Sequence, residues 1–314
     1  MKKYFLIFAP TLIIAFNLNA ASSGICGDNY DACHYVLSDD GILIIDGNGA
    51  MNDYDIQGDG KMPWGNEVKE VKMSGITSIG KYAFYNTIGI HNIIIPKTVE
   101  KINEGAFAMT SLKDVIYETD DAGRTKLTTI GRDVFAMTNL KNMTIPDSVT
   151  DIGQGVFYRD KKLENIVIPD SVTSLGIYLL TEASQNAIIY CHNTSERSCA
   201  DLINENNSEQ IGKLKLYTKE KASDGVSDLY KTEDGKFYAT LDLMGYGIAC
   251  DSAQNCQDIL NAAAIGNTFI VGGKFYSSLN DLALGNYIKK RIYTLEEAER
   301  VSKPTGNTFK LRYK

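Results

Sequence analysis

The chain has 314 residues, of which 44% are hydrophobic and 23% are charged, and its formal net charge is −7 at pH 7. An acidic chain of this kind is a poor candidate for binding nucleic acid or an anionic lipid surface, because both would repel it. We therefore expect neither class of partner.

The first 20 residues have the organisation of a secretory signal peptide. Lys2 and Lys3 precede a short apolar run, and the small residue Ala20 stands at the expected cleavage point. A membrane anchor is less favoured, because Pro10 interrupts the run and the run is shorter than the roughly 18 residues of a spanning helix. Removing the two lysines with the leader lowers the formal charge to −9. Since no later apolar run is long enough to span a bilayer, the sequence predicts an exported protein without a membrane span after signal removal.

Five copies of one short pattern follow, and they predict a solenoid. Residues 90–107 read IHNIIIPKTVEKINEGAF, residues 140–157 read LKNMTIPDSVTDIGQGVF, and residues 163–180 read LENIVIPDSVTSLGIYLL. Less regular copies lie at 68–84 and 112–135. Equivalent residues are 23, 28, 22 and 23 positions apart, namely Ile79, Ile102, Ile130, Ile152 and Leu175. A period in this range is typical of units that stack on their neighbours to bury a common core.

Each copy contains a strand pattern followed by a turn. Apolar residues alternate as they do in a strand, and Pro96, Pro146 and Pro169 end that strand because proline cannot donate to a ladder. An aromatic or apolar residue then recurs after a small one. Stacking of the units is expected to place these residues in one buried column: Phe84, Phe107, Phe135, Phe157 and Leu180.

The copies resemble the BspA-like leucine-rich repeats of bacterial surface proteins, whose pattern is L-x-x-[VI]-x-I-P-x-x-V-x-x-I-G-x-x-A-F. The resemblance covers about residues 24–217. The third copy departs from the pattern, since Glu118 replaces the proline and residues 117–126 contain an insertion. The resemblance implies binding and adhesion outside the cell or in the envelope, with a protein or glycan of a host or neighbouring cell as partner. It does not identify the ligand.

The resemblance extends to both ends of the repeats. Residues 25–30, residues 34–51 and the Pro63-Trp64 pair resemble the N-terminal cap of that family. Residues 187–203 resemble its closing unit. We therefore expect an α/β solenoid, a horseshoe-like stack of about five to six leucine-rich repeat units with a β cap before it.

The domain boundaries follow from these patterns and from a change in composition. We expect a signal peptide at 1–20, the N-terminal β cap at 21–66, the solenoid with its closing unit at 67–217, a polar linker at 218–232 and a small α+β accessory domain at 233–314.

The accessory domain contains its own duplication. GKFYATLDLM at 235–244 matches GKFYSSLNDLA at 273–283. Each copy is followed by a segment with the residue spacing typical of the start of a helix, at 255–263 and at 294–301. Each half is therefore predicted to be a hairpin followed by a helix, and the final NTFKLRYK is predicted to be a closing strand.

Six cysteines follow the leader and fall into three close pairs. An even count in a secreted chain favours disulfides. Of the 15 possible pairings, short spacing favours three local bonds, namely Cys26–Cys33, Cys191–Cys199 and Cys250–Cys256. Zinc binding is the alternative, but only His34 and His192 accompany the thiols. We predict neither a metal nor a cofactor.

No motif for catalysis is present. The chain contains no G-x-S-x-G, no H-E-x-x-H and no phosphate-binding glycine loop. His91 occupies a variable strand position without a nucleophile to serve it. The acidic loop at 53–59 resembles the start of a calcium loop, but Trp64 stands where a bidentate glutamate is needed, so a solvated loop is favoured. The protein is predicted not to be an enzyme.

The outward residues of the strands form the candidate binding surface. Two neighbouring columns are expected, one of Lys72, Ile94, Ile116, Thr144, Val167 and Ile188, and one of Glu70, Asn92, Asp114, Asn142, Asn165 and Asn186. An apolar stripe edged by amides and acids could contact a partner. The residues we assign to the site are Asn92, Ile94, Asp114, Ile116, Asn142, Thr144, Asn165 and Val167. The alternative is structural, since β-branched residues suit strands whatever they contact and asparagines can form ladders.

The favoured function is that of an exported, non-catalytic leucine-rich repeat protein that presents a surface for protein or glycan binding and adhesion. An envelope-structural protein without an external ligand is the second hypothesis. A hydrolase with its site in the C-terminal domain is the third, although no paired-carboxylate motif supports it.

Overall fold

The computed structural model describes residues 20–57, 60–121, 123–192, 199–206, 213–222, 228–250, 252–264, 269–271 and 274–276. The predicted signal peptide up to residue 19, the second accessory helix and the closing strand lie outside these ranges. The chain divides into two compact units, Met1–Asp258 and Ile259–Lys314. No helix in the described ranges is both long and apolar enough to cross a membrane.

Three strands open the first unit. They are β1 (Ala20–Ile25), β2 (His34–Ser38) and β3 (Ile42–Asp46), and each pairs antiparallel with the next. The Cys26–Cys33 disulfide closes the turn between β1 and β2. β3 then pairs in parallel with the first strand of the repeats, so the sheet continues from this opening segment into the solenoid.

The solenoid consists of coils that each contribute one longer strand and one two-residue strand. In chain order these are β4 (Glu70–Ser74), β5 (Ser78–Ile79), β6 (Asn92–Ile95), β7 (Lys101–Ile102), β8 (Asp114–Tyr117), β9 (Thr129–Ile130), β10 (Asn142–Thr144), β11 (Asp151–Ile152), β12 (Asn165–Ile168), β13 (Ser174–Leu175) and β14 (Ile188–His192). The longer strands pair in parallel in three groups, β4 with β3, β6 with β8, and β12 with both β10 and β14, and together they curl into half of a barrel. The short strands form a second parallel sheet in the order β13-β11-β9-β7-β5. The predicted solenoid, with about five turns, is confirmed.

The prolines act as the sequence predicts. β6 ends at Ile95, directly before Pro96, and β12 ends at Ile168, directly before Pro169. The third copy has Glu118 at this position, and its backbone N–H donates to the carbonyl of Ile95 at 2.9 Å. The inter-strand ladder therefore extends one residue further where the proline is missing.

The predicted phenylalanine column is confirmed. Phe84, Phe107, Phe135 and Phe157 are fully buried, with successive ring centroids 5.2, 5.8 and 6.1 Å apart and ring planes within 11° of parallel. Trp64 begins the column 5.8 Å from Phe84 and donates its indole N–H to the carbonyl of Ala83. One continuous core thus runs from the opening segment through the repeats.

The turns that carry these rings bond to each other across the coils. The N–H of Phe107 donates to the carbonyl of Val134 at 3.0 Å, and that of Phe135 donates to Val156 at 3.0 Å. This geometry needs a left-handed residue two positions before each ring. Glycine occupies the position at Gly105 and Gly155, and larger residues occupy it elsewhere, for example Asp133 with φ of 53°. The neighbouring coil satisfies turn donors that would otherwise be buried without a partner.

After β14 the chain forms α1 (Cys199–Asn206), β15 (Lys213–Lys221), β16 (Asp228–Thr232) and β17 (Phe237–Tyr238). Cys191 of β14 is bonded to Cys199 of α1. β15 pairs in parallel with β14, and β16 and β17 then add antiparallel, so all three extend the curled sheet.

The prediction of a polar linker at 218–232 is therefore wrong. Lys219 and Lys221 complete β15, and both pair with Asp228 on β16, at 3.1 and 2.7 Å. Their polarity is that of the solvated side of an edge hairpin, whereas Leu229 on the same hairpin is buried. The alternation of apolar and polar residues that marks a strand covers only a few positions here, and the many lysines made the segment resemble a polar linker.

The rest of the chain forms α2 (Leu241–Gly245), α3 (Ala253–Ala264), β18 (Phe269–Val271) and β19 (Lys274–Tyr276). The two GKFY copies occupy equivalent places. Phe237 lies opposite Lys231 on the second strand of one antiparallel hairpin, and Phe275 lies opposite Ile270 on the second strand of the other. In the first copy, α2 and α3 follow the hairpin.

Candidate functional site

The register of the parallel strands fixes which residues share the outward side of the curled sheet. Ile94 lies beside Ile116, and Thr144 lies beside Val167, as expected. The register differs at the last strand, because Val167 lies beside Tyr190 and Asn165 lies beside Ile188. The predicted columns were thus misaligned by two residues at their end. We call this side of the sheet the outward face.

The outward face is exposed at its N-terminal end. Asn92 is exposed there, and 47% of Ile94 is exposed although the residue is large and apolar. Glu70 and Lys72 lie on the preceding strand, and their side chains form an exposed ion pair at 3.2 Å. We call these four residues the open half of the outward face.

Polar side chains of neighbouring strands pair along the face. The side-chain amides of Asn142 and Asn165 lie 2.9 Å apart. The amide of Asn92, oriented with its nitrogen towards the available acceptors, donates to the Asp114 carboxylate at 3.1 Å. The asparagines therefore do form a structural ladder, which was the alternative explanation for their recurrence.

The C-terminal end of the face is covered by the chain itself. The covering segment is Thr240–Gly247, which contains α2, and we call it the tip. Val167, expected to be exposed, is completely buried, and it packs in one apolar cluster with Tyr190, Tyr217, Tyr238 and Met244 of the tip. The expectation that Val167 faces solvent is therefore wrong, because a later segment of the chain contacts it.

Polar contacts between the tip and the face complement this cluster. The hydroxyl of Thr144 lies 3.5 Å from the Leu241 carbonyl, and the amide of Asn142, suitably oriented, donates to the Gly245 carbonyl at 3.1 Å. The hydroxyl of Tyr246 donates to Asp114 at 3.3 Å. The predicted site residues Asp114, Asn142 and Thr144 are thus hydrogen-bonding partners of the tip.

Local sequence explains the form of the tip. Thr240 caps α2, since its side chain accepts from the N–H of Leu243 at 3.1 Å. An antiparallel bridge between Phe237 and Cys250 joins the two ends of the loop. Cys250 is bonded to Cys256, which fastens the loop to α3.

Gly245 lets the tip approach the sheet closely. A Cβ placed on this helical glycine would clash with the Thr144 hydroxyl oxygen. The next atoms of the face are further away, with the Thr144 Cβ at 3.7 Å and a Val167 methyl at 3.5 Å. Glycine suits this position because the sheet lies so close to it, and not because the backbone needs a positive φ.

Burial beneath the tip affects the charge of the face. Burial raises the pKa of Asp114, and the hydrogen bond from Tyr246 partly opposes that shift. Burial likewise raises the pKa of Asp242 in the tip, so Asp114 and Asp242 are both desolvated where the tip meets the face, whereas the hairpin beside them is bordered by ion pairs. In the hairpin of β16 and β17 a carboxyl pKa is lowered instead, because hydrogen bonds from Thr232 and Lys215 bring the pKa of Asp234 to about 2.

A histidine and a carboxylate meet where β12 and β14 end. The Nδ1 atom of His192 lies 3.0 Å from an oxygen of Asp170, and its ring stacks on Tyr217 at 5.2 Å. The Asp170 side chain is 60% exposed, so its carboxylate is solvated, whereas the His192 side chain is 16% exposed. A catalytic dyad requires a desolvated geometry and a nucleophile. In the described ranges, no group of three or more histidine, cysteine, aspartate or glutamate residues could hold a metal ion.

Neither the tip nor the tyrosines that contact it, Tyr190, Tyr217 and Tyr238, were predicted from the sequence. Tyr190 could have been found, because it alternates with the inward Ile189 and Cys191 in the strand pattern of 187–192. Met244 and Tyr246 could not, because nothing in the local pattern at 240–247 shows which distant strand the segment contacts.

Comparison with known proteins agrees with the repeat architecture. The BspA type leucine rich repeat region matches residues 66–188 in six copies. No curated protein matches the chain.

Several solved structures are similar. A leucine-rich repeat protein from Eubacterium ventriosum is 26% identical over 69% of this chain and 48% of its own, with a TM-score of 0.47. One from Bacteroides ovatus is 20% identical over 52% of this chain and 42% of its own, with a TM-score of 0.34. A leucine rich repeat protein of T. pallidum is 24% identical over 51% of this chain and 79% of its own, with a TM-score of 0.30. The chain thus spans about half the length of the Eubacterium ventriosum protein.

Proposed function

We propose that this chain, whose repeat region belongs to the BspA-type leucine-rich repeats, is an exported, non-catalytic binding protein that uses the outward face of its sheet. The partner is a protein or glycan at the surface of a host or neighbouring cell. The observation that carries the proposal is the open half, where Ile94 is 47% exposed on a sheet whose other side is a closed core.

The open half has the composition of a contact surface. Ile94 provides apolar area, and the Glu70–Lys72 pair and the amide of Asn92 border it with both charges and a hydrogen-bonding group. None of the four belongs to the solenoid core, which consists of the inward residues of the same strands.

Export is supported by the leader-like N-terminus and by the disulfides. Every cysteine in the structure is bonded to a near neighbour in sequence, in the pairs Cys26–Cys33, Cys191–Cys199 and Cys250–Cys256. Structural disulfides persist in oxidising compartments and are rare where thiols are kept reduced.

The test is capture by the mature chain from host-cell and bacterial surface extracts and on a glycan array, with two matched variants. Ile94→Lys places a charge on the open half. Ile88→Lys is the control, because Ile88 is 64% exposed but lies in a turn away from the outward face. We expect the captured partner to be lost with Ile94→Lys and kept with Ile88→Lys. Equal capture by both variants would place the binding surface elsewhere.

A further inference from the structure

The tip occupies the outward face as a ligand would. It is a short helical turn laid across three strands. It hydrogen-bonds to Asp114 on β8 and to Asn142 and Thr144 on β10, and it packs against Val167 on β12. Its methionine fills the space between the outward tyrosines. The segment belongs to the chain but not to the repeats, so the repeats form a site and the C-terminal extension fills it.

We propose that the tip is a built-in occupant of the recognition face and that the partner which displaces it is a protein segment with the same features. Those features are a short helical turn, a methionine or leucine for the tyrosine cluster, a glycine over Thr144 and a tyrosine hydroxyl for Asp114. The proposal rests on the proposed function, in that the outward face is the binding surface.

The contacts of the tip suit an occupant that can leave. The apolar cluster it joins is separate from the solenoid core, so the phenylalanine column does not depend on it. Its polar contacts to Asp114, Asn142 and Thr144 are between 3.1 and 3.5 Å long. A helix of five residues is not stable without its docking surface, because nucleation of a short helix is unfavourable. The helical turn therefore depends on the sheet for its order.

The fastening of the loop keeps such opening local. The bridge between Phe237 and Cys250 joins the two ends of the loop, and the Cys250–Cys256 bond holds the second end to α3. The tip can therefore lift from the sheet while the hairpin stays paired. A tethered occupant is a strong competitor because its effective concentration is high, so only a segment with matching contacts can replace it.

The groups of the outward face that contact the tip, on Asp114, Asn142 and Thr144, are arranged to bind a peptide. Asn142, suitably oriented, donates to a backbone carbonyl, that of Gly245, and a side chain at this position would have to displace the Thr144 hydroxyl. Asp114 accepts from a phenol whose position is set by the same turn. A carbonyl, a glycine and a phenol at fixed spacing are features of a polypeptide.

The first measurement asks whether the tip opens. In Gly245→Ala the new Cβ clashes with the Thr144 hydroxyl oxygen, while the helical backbone itself accepts alanine. Hydrogen exchange at the amides of Met244 and Tyr246 should accelerate at least tenfold. Adding Thr144→Ala removes the clashing atom and leaves the Cβ at 3.7 Å, but it also removes the contact of the Thr144 hydroxyl with the Leu241 carbonyl, so the double variant should regain part of its protection. Exchange at Phe107 and Phe135 should stay unchanged throughout.

The second measurement identifies the occupant. A synthetic peptide of residues 238–248 should bind the full-length Gly245→Ala protein at least tenfold more tightly than the wild-type protein, whose own tip excludes it. The same peptide with phenylalanine at position 246 should bind more weakly, and a scrambled peptide should not bind.

Three results would overturn the proposal. Unchanged exchange in Gly245→Ala would show that the tip does not open this way, and opening without peptide binding would show that the face does not take a peptide. Dimers of Gly245→Ala that form with rising concentration would show that the occupant is the tip of a second copy. None of these results bears on the open half. The Ile94 and Ile88 capture experiment tests that surface separately, so failure of one proposal is distinguishable from failure of the other.

Discussion

Tyr246 donates its phenolic hydrogen to the carboxylate of Asp114 at 3.3 Å, across 132 positions of sequence. The bond joins a segment outside the repeats to the third of their strands. It also connects the electrostatics of the outward face with the position of the tip, because the tip both desolvates Asp114 and supplies a hydrogen bond to it.

The first prediction concerns this bond. Burial raises the pKa of Asp114, and the Tyr246 hydroxyl partly opposes that by stabilising the charged form. Tyr246→Phe should therefore raise the pKa of Asp114 further, which carboxyl-carbon NMR can follow through a pH titration. Tyr85→Phe is the control, since the Tyr85 hydroxyl contacts the sulfur of Met109 instead of a carboxylate. A lower pKa of Asp114 in Tyr246→Phe would mean that the phenol does not donate to the carboxylate.

The second prediction concerns the phenylalanine column. Phe135 stacks between Phe107 and Phe157 and is fully buried, so Phe135→Ala should lower the free energy of unfolding by about 3 to 5 kcal/mol. Each coil contacts mainly its neighbours, so the transition should also lose its two-state form. Denaturant unfolding followed by two probes measures both effects. Ile88→Ala is the matched control and should change stability by no more than about 0.5 kcal/mol, since Ile88 is exposed.

The fold was predictable because the features of the repeated sequence pattern determine the geometry of each coil. The period, the prolines after the strands and the recurring phenylalanines each correspond to a local feature of the structure. Stacking then fixes which residues are neighbours, since position n of one coil contacts position n of the next. The column from Phe84 to Phe157 was therefore readable without any knowledge of long-range contacts.

The candidate site was predictable only in part, for the same physical reason. The repeat determines which side chains point outward, and Asn92 and Ile94, which were predicted to point outward, are exposed in the structure. It does not determine what covers them. Val167 satisfies the outward pattern yet is buried by Met244, a residue from a segment that has no periodic relation to the strands. Val167→Lys should therefore lift the tip, because it places a charge in the cluster that Met244 occupies.

The third prediction concerns the disulfide between Cys191 and Cys199. The bond ties the last repeat strand to α1, and it closes a short loop with a sequence separation of 8. Replacing both cysteines by serine should lower the free energy of unfolding by about 2 to 3 kcal/mol, mainly because the unfolded chain becomes less restricted. Peptide mapping of unreduced protein should recover all three local pairs. Recovery of Cys33 joined to Cys191 would exclude this connectivity.

The fourth prediction concerns a buried carboxyl group, Asp160. In the preceding coils the equivalent residue is threonine, at Thr87, Thr110 and Thr138. One oxygen of Asp160 accepts hydrogen bonds from the N–H and the hydroxyl of Thr138, and its other oxygen is buried without a hydrogen-bond partner in the described ranges. Burial raises the pKa of Asp160 to about 8, whereas an unfolded chain has a value of about 4.

The sign of the pH dependence follows from these two values. Between about pH 4 and pH 8 the unfolded chain has released the proton and the folded protein retains it. Asp160 therefore makes stability fall as pH rises through this window, by up to about 1.4 kcal/mol per pH unit, and has no further effect above the folded pKa. Asp160→Asn keeps the acceptor for Thr138 but cannot ionise, and Asp160→Thr restores the residue of the other coils. Both variants should match or exceed the wild type at pH 8, and their advantage should shrink towards pH 4. Denaturant midpoints across this range measure the difference, and a wild-type advantage that grows with pH would show that Asp160 is charged in the folded protein.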